Sequence, residues 1–269
     1  MGYGIAVEEI GEVDLYRFGR SKQIFRGSKP NLKKPYVAFI GGSETFGKFV
    51  STPFPDMVQR YLRMTCANWG TPGAGPGFFL KDPVILEACS NAEICVVQVM
   101  NPVALSNRLY SVFPRRNMRL RGVSSALRSL FPGVVFEDFK YVSGMLRKLA
   151  SEDIEAYQSV LEEQRYAWVS RMRELLNDIE TRKLLLWLAP VDAAKPGCII
   201  TDEMVAAVGD QVEKVVTVRI NAKSGANMAF NGAMRDSAWM TRGVHSEVSK
   251  ELAEVLGEML NLDQALGLG

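Results

Sequence analysis

A chain of 269 residues with 47% hydrophobic side chains can fill a sizeable core, and its length is within range for one α/β domain. A formal net charge of +2 gives no general nucleic-acid-binding character, and none is expected. The start, MGYGIAVEEIGEVDL, lacks a basic segment followed by an apolar stretch. Runs such as Leu184–Leu188 fall far short of the ~20 apolar residues that span a bilayer, so no membrane association and a cytoplasmic location are expected. Cys66, Cys89, Cys95 and Cys198 form no CxxC pair, which favours free buried thiols over a metal site or disulfide.

In chain order, the first 34 residues read as an N-terminal extension. Tyr36–Gly42 is the first of five apolar, β-branched segments of buried parallel-strand type; the others are Met64–Trp69, Glu93–Met100, Lys183–Pro190 and Lys214–Ile220. Thr52-Pro53 reads as a helix start leading into Asp56–Leu62, and Asp82-Pro83 repeats the device before Val84–Cys89. Residues 102–150 are less regular and read as decoration of the sheet. Ser151–Ile179 carries one apolar stripe through Ile154, Tyr157, Leu161, Trp168, Met172, Leu175 and Ile179, the spacing of a single long helix. Thr201 caps a further helix with Asp202 and Glu203 in its first turn, and a last helix starts near Ser246. Alternating strands and helices imply right-handed crossovers. The expected architecture is a three-layer α/β/α sandwich on a flavodoxin-like, parallel, five-stranded sheet, with all of 1–269 in a single domain.

Ligands of such sheets gather beyond the carboxyl ends of the strands. The first strand runs into Gly41-Gly42-Ser43, which places a serine on a tight turn at a helix start. The second ends in Asn68-Trp69-Gly70-Thr71-Pro72-Gly73-Ala74-Gly75, whose glycines permit close backbone approach. The third ends in Met100-Asn101-Pro102, with Asn107 a second side-chain amide nearby. His245, the one histidine, precedes the last helix. A cap for Ser43 or Asn101, and simple turn geometry for Gly73, are the plainer readings of the same residues.

The order Ser, Gly, Asn, His on successive strand ends resembles the SGNH (GDSL-like) hydrolase superfamily. The stretches GGSETFGKFV, NWGTPGAGPGFFLKDP, VVQVMNPVALSNRLYSVFPRRN and GVHSEVSKELAEVL are similar to an uncharacterised bacterial family with that fold, over most of the chain. The resemblance implies Ser43 as nucleophile, His245 as general base, and Gly73 and Asn101 in the oxyanion hole, with no metal and no cofactor. Gly42 stands where that pattern has an aspartate, and Arg242 stands where it has the acid that orients the histidine. Asp236 upstream, Glu247 downstream or a backbone carbonyl would then have to orient it.

Two further patterns bear on function. Gly42 to Lys48 fits the P-loop spacing GxxxxGK, but Phe49 stands where a magnesium-holding Ser or Thr belongs, which leaves a sulfate- or phosphate-group transferase as an alternative. Residues 101–136 hold six arginines (108, 115, 116, 119, 121 and 128) and no acid; residues 15–43 hold seven Lys/Arg and no acid. Arginine forks suit carboxylate, phosphate or sulfate, so a small or glycan-type anionic substrate touching Asn107, Arg115 and Arg116 is expected. The expected activity is ester hydrolysis or acyl transfer on such a substrate; a non-catalytic, anion-binding relative is the other alternative.

Overall fold

The computed structural model describes residues 13–113, 116–190, 200–220 and 240–262. Two short strands, β1 (Leu15–Tyr16) and β2 (Phe25–Arg26), pair antiparallel ahead of the main sheet. That sheet comprises β3 (Tyr36–Ile40), β4 (Thr65–Asn68), β5 (Ile94–Gln98), β8 (Arg182–Pro190) and β9 (Lys214–Ile220). Its order is β4-β3-β5-β8-β9, with every neighbour parallel. This is the flavodoxin-like arrangement, and the direction of winding reverses between β3 and β5. All five expected strands form, each within a few residues of its expected ends.

Alternation along the strands divides the core into two layers. Ala38, Ile40, Cys95, Val97, Leu185 and Trp187 face one side, together with α3 (Pro76–Phe79), α4 (Pro83–Ser90), α7 (Ile154–Asp178) and α8 (Asp202–Gly209). Val37, Phe39, Val96, Leu186 and Val218 face the other, covered by α2 (Phe54–Leu62) and α9 (Arg242–Met259). A short α1 (Ser43–Phe46) follows β3 directly.

Between β5 and α7 the chain builds a satellite core of its own. A hairpin, β6 (Tyr110–Phe113) with β7 (Arg116–Val123), packs with α5 (Ser125–Leu130), α6 (Val142–Glu152) and the first turns of α7 around Tyr110, Leu127, Phe136, Leu146 and Val160. The expected decoration of 102–150 is thus a hairpin and two helices.

The expected caps at Asp82 and Thr201 form, accepting from the backbone N–H of Ile85 and Met204. Three helix starts differ from expectation. The single long helix expected over 151–179 forms as α7 but starts three residues later, because the Asp153 carboxylate accepts from the N–H of Glu155 and Ala156 and begins α7 at Ile154 after α6 ends at Glu152. The last helix begins at Arg242, capped by Thr241, so His245 lies within its first turns. The N-cap of α2 is Pro53, with no side-chain cap from its neighbours, so Thr52 does not serve there. Cys66, Cys89 and Cys95 are buried free thiols, and Cys198 lies outside the described residues. No described helix is long and apolar enough to cross a membrane.

Candidate active site

The switch point between β3 and β5 is occupied by the turn that follows β3. Gly41 lies so close to Thr45 and Gln98 that a Cβ there would collide with Thr45 Oγ1 and Gln98 Oε1. Gln98 is the last residue of β5 and is 4% exposed, a polar end to the apolar run Ile94-Cys95-Val96-Val97. Its Oε1 accepts from Gly42 N–H (3.0 Å), Thr45 N–H (3.3 Å) and Thr45 Oγ1–H (2.5 Å). Its Nε2 donates to Glu44 Oε2 at 3.0 Å. A second clamp comes from β4, where Asn68 Nδ2 donates to Thr45 O and Asn68 Oδ1 accepts from Gly70 N–H, both at 2.9 Å. Gly70 packs against the backbone of Thr45 and Phe46 with no room for a Cβ. Thr71 N–H closes the turn on Gly41 O at 2.9 Å.

Ser43 sits on this pinned turn as the first residue of α1, partly exposed, and among the described residues its hydroxyl makes no hydrogen bond. Behind the turn, Arg26 is buried beneath the loop to α2. Its guanidinium donates to the carbonyls of Phe46, Gly47, Val50 and Ser51. The N–H groups of Thr45, Phe46, Gly47 and Lys48 are all taken within the chain, on Gln98 Oε1, Gly42 O and Ser43 O. The 42–49 loop therefore keeps no donors at 45–48 for a phosphate cradle.

The other residues take separate positions. Gly73, at φ +72°, is the left-handed corner of a turn closed by Ala74 N–H on Thr71 O. Asn101 is exposed, and its Oδ1 accepts from Val103 N–H at 2.8 Å as the cap of a single 3₁₀ turn. Asn107 Oδ1 accepts from the N–H of Leu109 and Tyr110, while its Nδ2 is buried without a partner among the described residues. Arg115 lies outside the described residues, as does the side chain of Arg116. Arg108 and Arg128 are ion-paired with Glu163 and Glu137, whereas Arg119 and Arg121 have no carboxylate partner among the described residues. The acid-free segment thus borrows carboxylates from outside itself at two of its arginines.

His245 is 1% exposed and stacks on Phe54, with ring centroids 5.7 Å apart and planes 24° apart. Its Nδ1 accepts from Phe54 N–H at 3.1 Å. Phe54 opens α2, so the imidazole satisfies a first-turn N–H that no neighbouring side chain caps. With Nδ1 accepting, the neutral ring carries its proton on Nε2, and that atom is buried with no partner among the described residues. Burial, with a smaller push from the Arg26 charge, lowers the imidazole pKa from 6.5 to about 4. No hydrogen bond joins His245 to Ser43 among the described residues, and none joins it to an acid. Glu247 is exposed two residues along α9, and Asp236 lies outside the described residues.

Residues 1–260 match the family described as Domain of unknown function (DUF6473). The chain belongs to that family. No curated protein matches the sequence. Among solved structures, a catalytic mutant of Axe2, an acetylxylan esterase from Geobacillus stearothermophilus, is similar at TM-score 0.41 and 12% identity, over 83% of this chain and 94% of that one. Unmutated Axe2 gives 0.38 and 12% over the same shares. A thioesterase domain from the curacin biosynthetic pathway gives 0.31 and 9%, over 91% of this chain and 98% of that one. None of these likenesses assigns a role to a residue of this DUF6473 chain.

Two residues of the site have little or no signature in the sequence. A polar residue closing an apolar buried strand was the available signal for Gln98, since a buried amide must find partners. Arg26 gives none: it is one of seven cations in a solvent-like stretch, and only the folded loop brings four carbonyls to it.

Proposed function

We propose that this chain is a serine hydrolase or acyl-transfer enzyme acting on esters, with Ser43 as nucleophile. The observation that carries the reading is the placement of Ser43. It stands at the switch point of the sheet, with an unengaged hydroxyl on a turn held by Gln98 and Asn68. In the proposed reaction Ser43 Oγ attacks the acyl carbon and its proton passes to His245. The N–H groups of Ser43 and Gly73 and the amide of Asn101 hold the oxyanion. The proton then goes to the departing alcohol, and water or an acceptor alcohol repeats the sequence on the acyl-enzyme. Because His245 Nδ1 accepts from Phe54 N–H, the imidazole must leave that bond on substrate binding before it can take a proton facing Ser43. An anionic substrate, met by Asn107, Arg115 and Arg116, completes the proposal; Arg119 and Arg121, without a carboxylate partner among the described residues, support it.

A second reading has a specific observation in its favour. The His245–Phe54 bond, with no acid on the ring among the described residues, suits a non-catalytic relative that retains the fold. A fluorophosphonate probe separates the two. The expected outcome is one covalent adduct by intact mass on the wild type, lost in Ser43→Ala and slowed in His245→Gln. A wild type that takes no adduct from probes of several sizes overturns the hydrolase reading in favour of the non-catalytic one.

A further inference from the structure

Gln98 makes four hydrogen bonds with one side chain, and all four go to the Gly42–Thr45 turn that carries Ser43. Their directions are not interchangeable. Three donors converge on Oε1, so the amide nitrogen must face Glu44, where it meets an acceptor oxygen. Glu44 Oε2 in turn lies 3.0 Å from where a Cβ on Gly42 would stand, so the carboxylate fills the space left by the missing side chain at 42. The chain therefore holds a carboxylate against the Ser43 turn although position 42 itself supplies none.

We propose that Gln98 is the positioning residue of the nucleophile: its carboxamide fixes the Ser43 turn with one end and holds the Glu44 carboxylate beside that turn with the other. The inference rests on the reading of Ser43 as nucleophile and extends it to a residue that touches no reacting atom. An apolar residue at 98 would strand Gly42 N–H, Thr45 N–H and the Thr45 hydroxyl in a buried corner. A carboxylate at 98 would keep the three acceptor bonds but oppose Glu44 at hydrogen-bond distance. Two carboxylates so placed share one proton, and one of the pair titrates well above the ordinary carboxylate range. Deprotonation of that shared site repels the turn.

The experiment compares fluorophosphonate labelling rates of wild type and Gln98→Glu across pH, with Gln98→Leu followed by amide hydrogen exchange. For Gln98→Glu the expected result is labelling within about threefold of wild type at low pH, falling at least ~30-fold relative to it as the shared proton leaves. Such a limb is absent from the wild type, and a residue that merely fills space would not create it. Labelling of Gln98→Glu that follows the wild-type profile throughout overturns the inference while leaving Ser43 as nucleophile. If the wild type itself does not label, the Ser43 reading falls and exchange decides the remainder. Faster exchange confined to residues 42–46 in Gln98→Leu supports positioning of the turn by Gln98, and unchanged protection there overturns it.

Discussion

The Ser43 turn and the His245 ring are the two ends of the proposed dyad, yet they are built differently. Around Ser43 the side chains of Gln98 and Asn68 supply six hydrogen bonds to the turn and its neighbours, and the Ser43 hydroxyl makes none among the described residues. Around His245 there is one hydrogen bond, an aromatic face and apolar burial, and the ring is neutral because ionising it there is unfavourable. A rigid polar cradle suits a group that must be aimed. An imidazole serving as a cap on α2 suits a group that holds two helices together. The two ends of the proposed dyad are thus unequal: the Ser43 hydroxyl is free of hydrogen bonds among the described residues, while the His245 ring is engaged by Phe54.

The largest test of that inequality is Ser43→Ala. Loss of labelling and at least a ~10³-fold loss of any ester turnover are expected, with thermal stability unchanged because the hydroxyl makes no bond. A melting point that falls with the activity would mean the hydroxyl is structural, and the comparison would break at its stronger end. Next is Asn101→Ala. Loss of an oxyanion donor corresponds to about 2.7–4 kcal/mol of transition-state stabilisation, some 10²–10³-fold in turnover. Wild-type turnover with only a small loss of stability would leave Asn101 as the cap of its 3₁₀ turn and nothing more.

The His245 end is tested by pH. The imidazole pKa is lowered in the folded state from 6.5 to about 4, so between those values the unfolded chain binds more protons than the folded one. Stability from this group is fully present above about pH 6.5 and is lost as pH falls towards 4, by about 3 kcal/mol in all. Urea unfolding of wild type and His245→Gln at several pH values measures it. The substitution is expected to flatten the slope in that window, and equal slopes for the two proteins would show that the ring is not buried neutral.

The sheet was legible because its strands are written locally, as apolar β-branched runs closed by Gly, Asn or Pro. The caps at Asp82 and Thr201 were legible for the same reason, acceptor and donor being three residues apart. The reading failed where the partner is remote. Phe54 N–H finds its acceptor in His245, 191 residues away, so Thr52 looked like the cap and His245 looked free for other work. The apolar stripe finds the long helix but not its start, since a stripe does not record where a cap such as Asp153 intervenes. Gly73 takes a φ of +72° in its turn, and the close backbone approach that the glycines of this loop permit is made by Gly70, pressed against Thr45 and Phe46. Residues 102–150 read as irregular because their hairpin and helices draw on contacts with α7, which no local pattern records.

The smallest expected effect is the sharpest test of the missing acid. Glu247 is the nearest acid to His245 among the described residues of α9, and the sequence alone leaves it as a partner for the ring. Two residues along a helix is about 200° around its axis, so a side chain at 247 points away from one at 245. Consistent with that, Glu247 is exposed while His245 is buried. Glu247→Gln is therefore expected to change unfolding free energy by less than about 0.5 kcal/mol, as exposed substitutions usually do. It should leave the His245 titration, followed by imidazole NMR shifts, where it stands in the wild type. A carboxylate that did stabilise the protonated ring would announce itself by a further fall in that pKa on its removal, and Glu247 would then be the acid that orients His245.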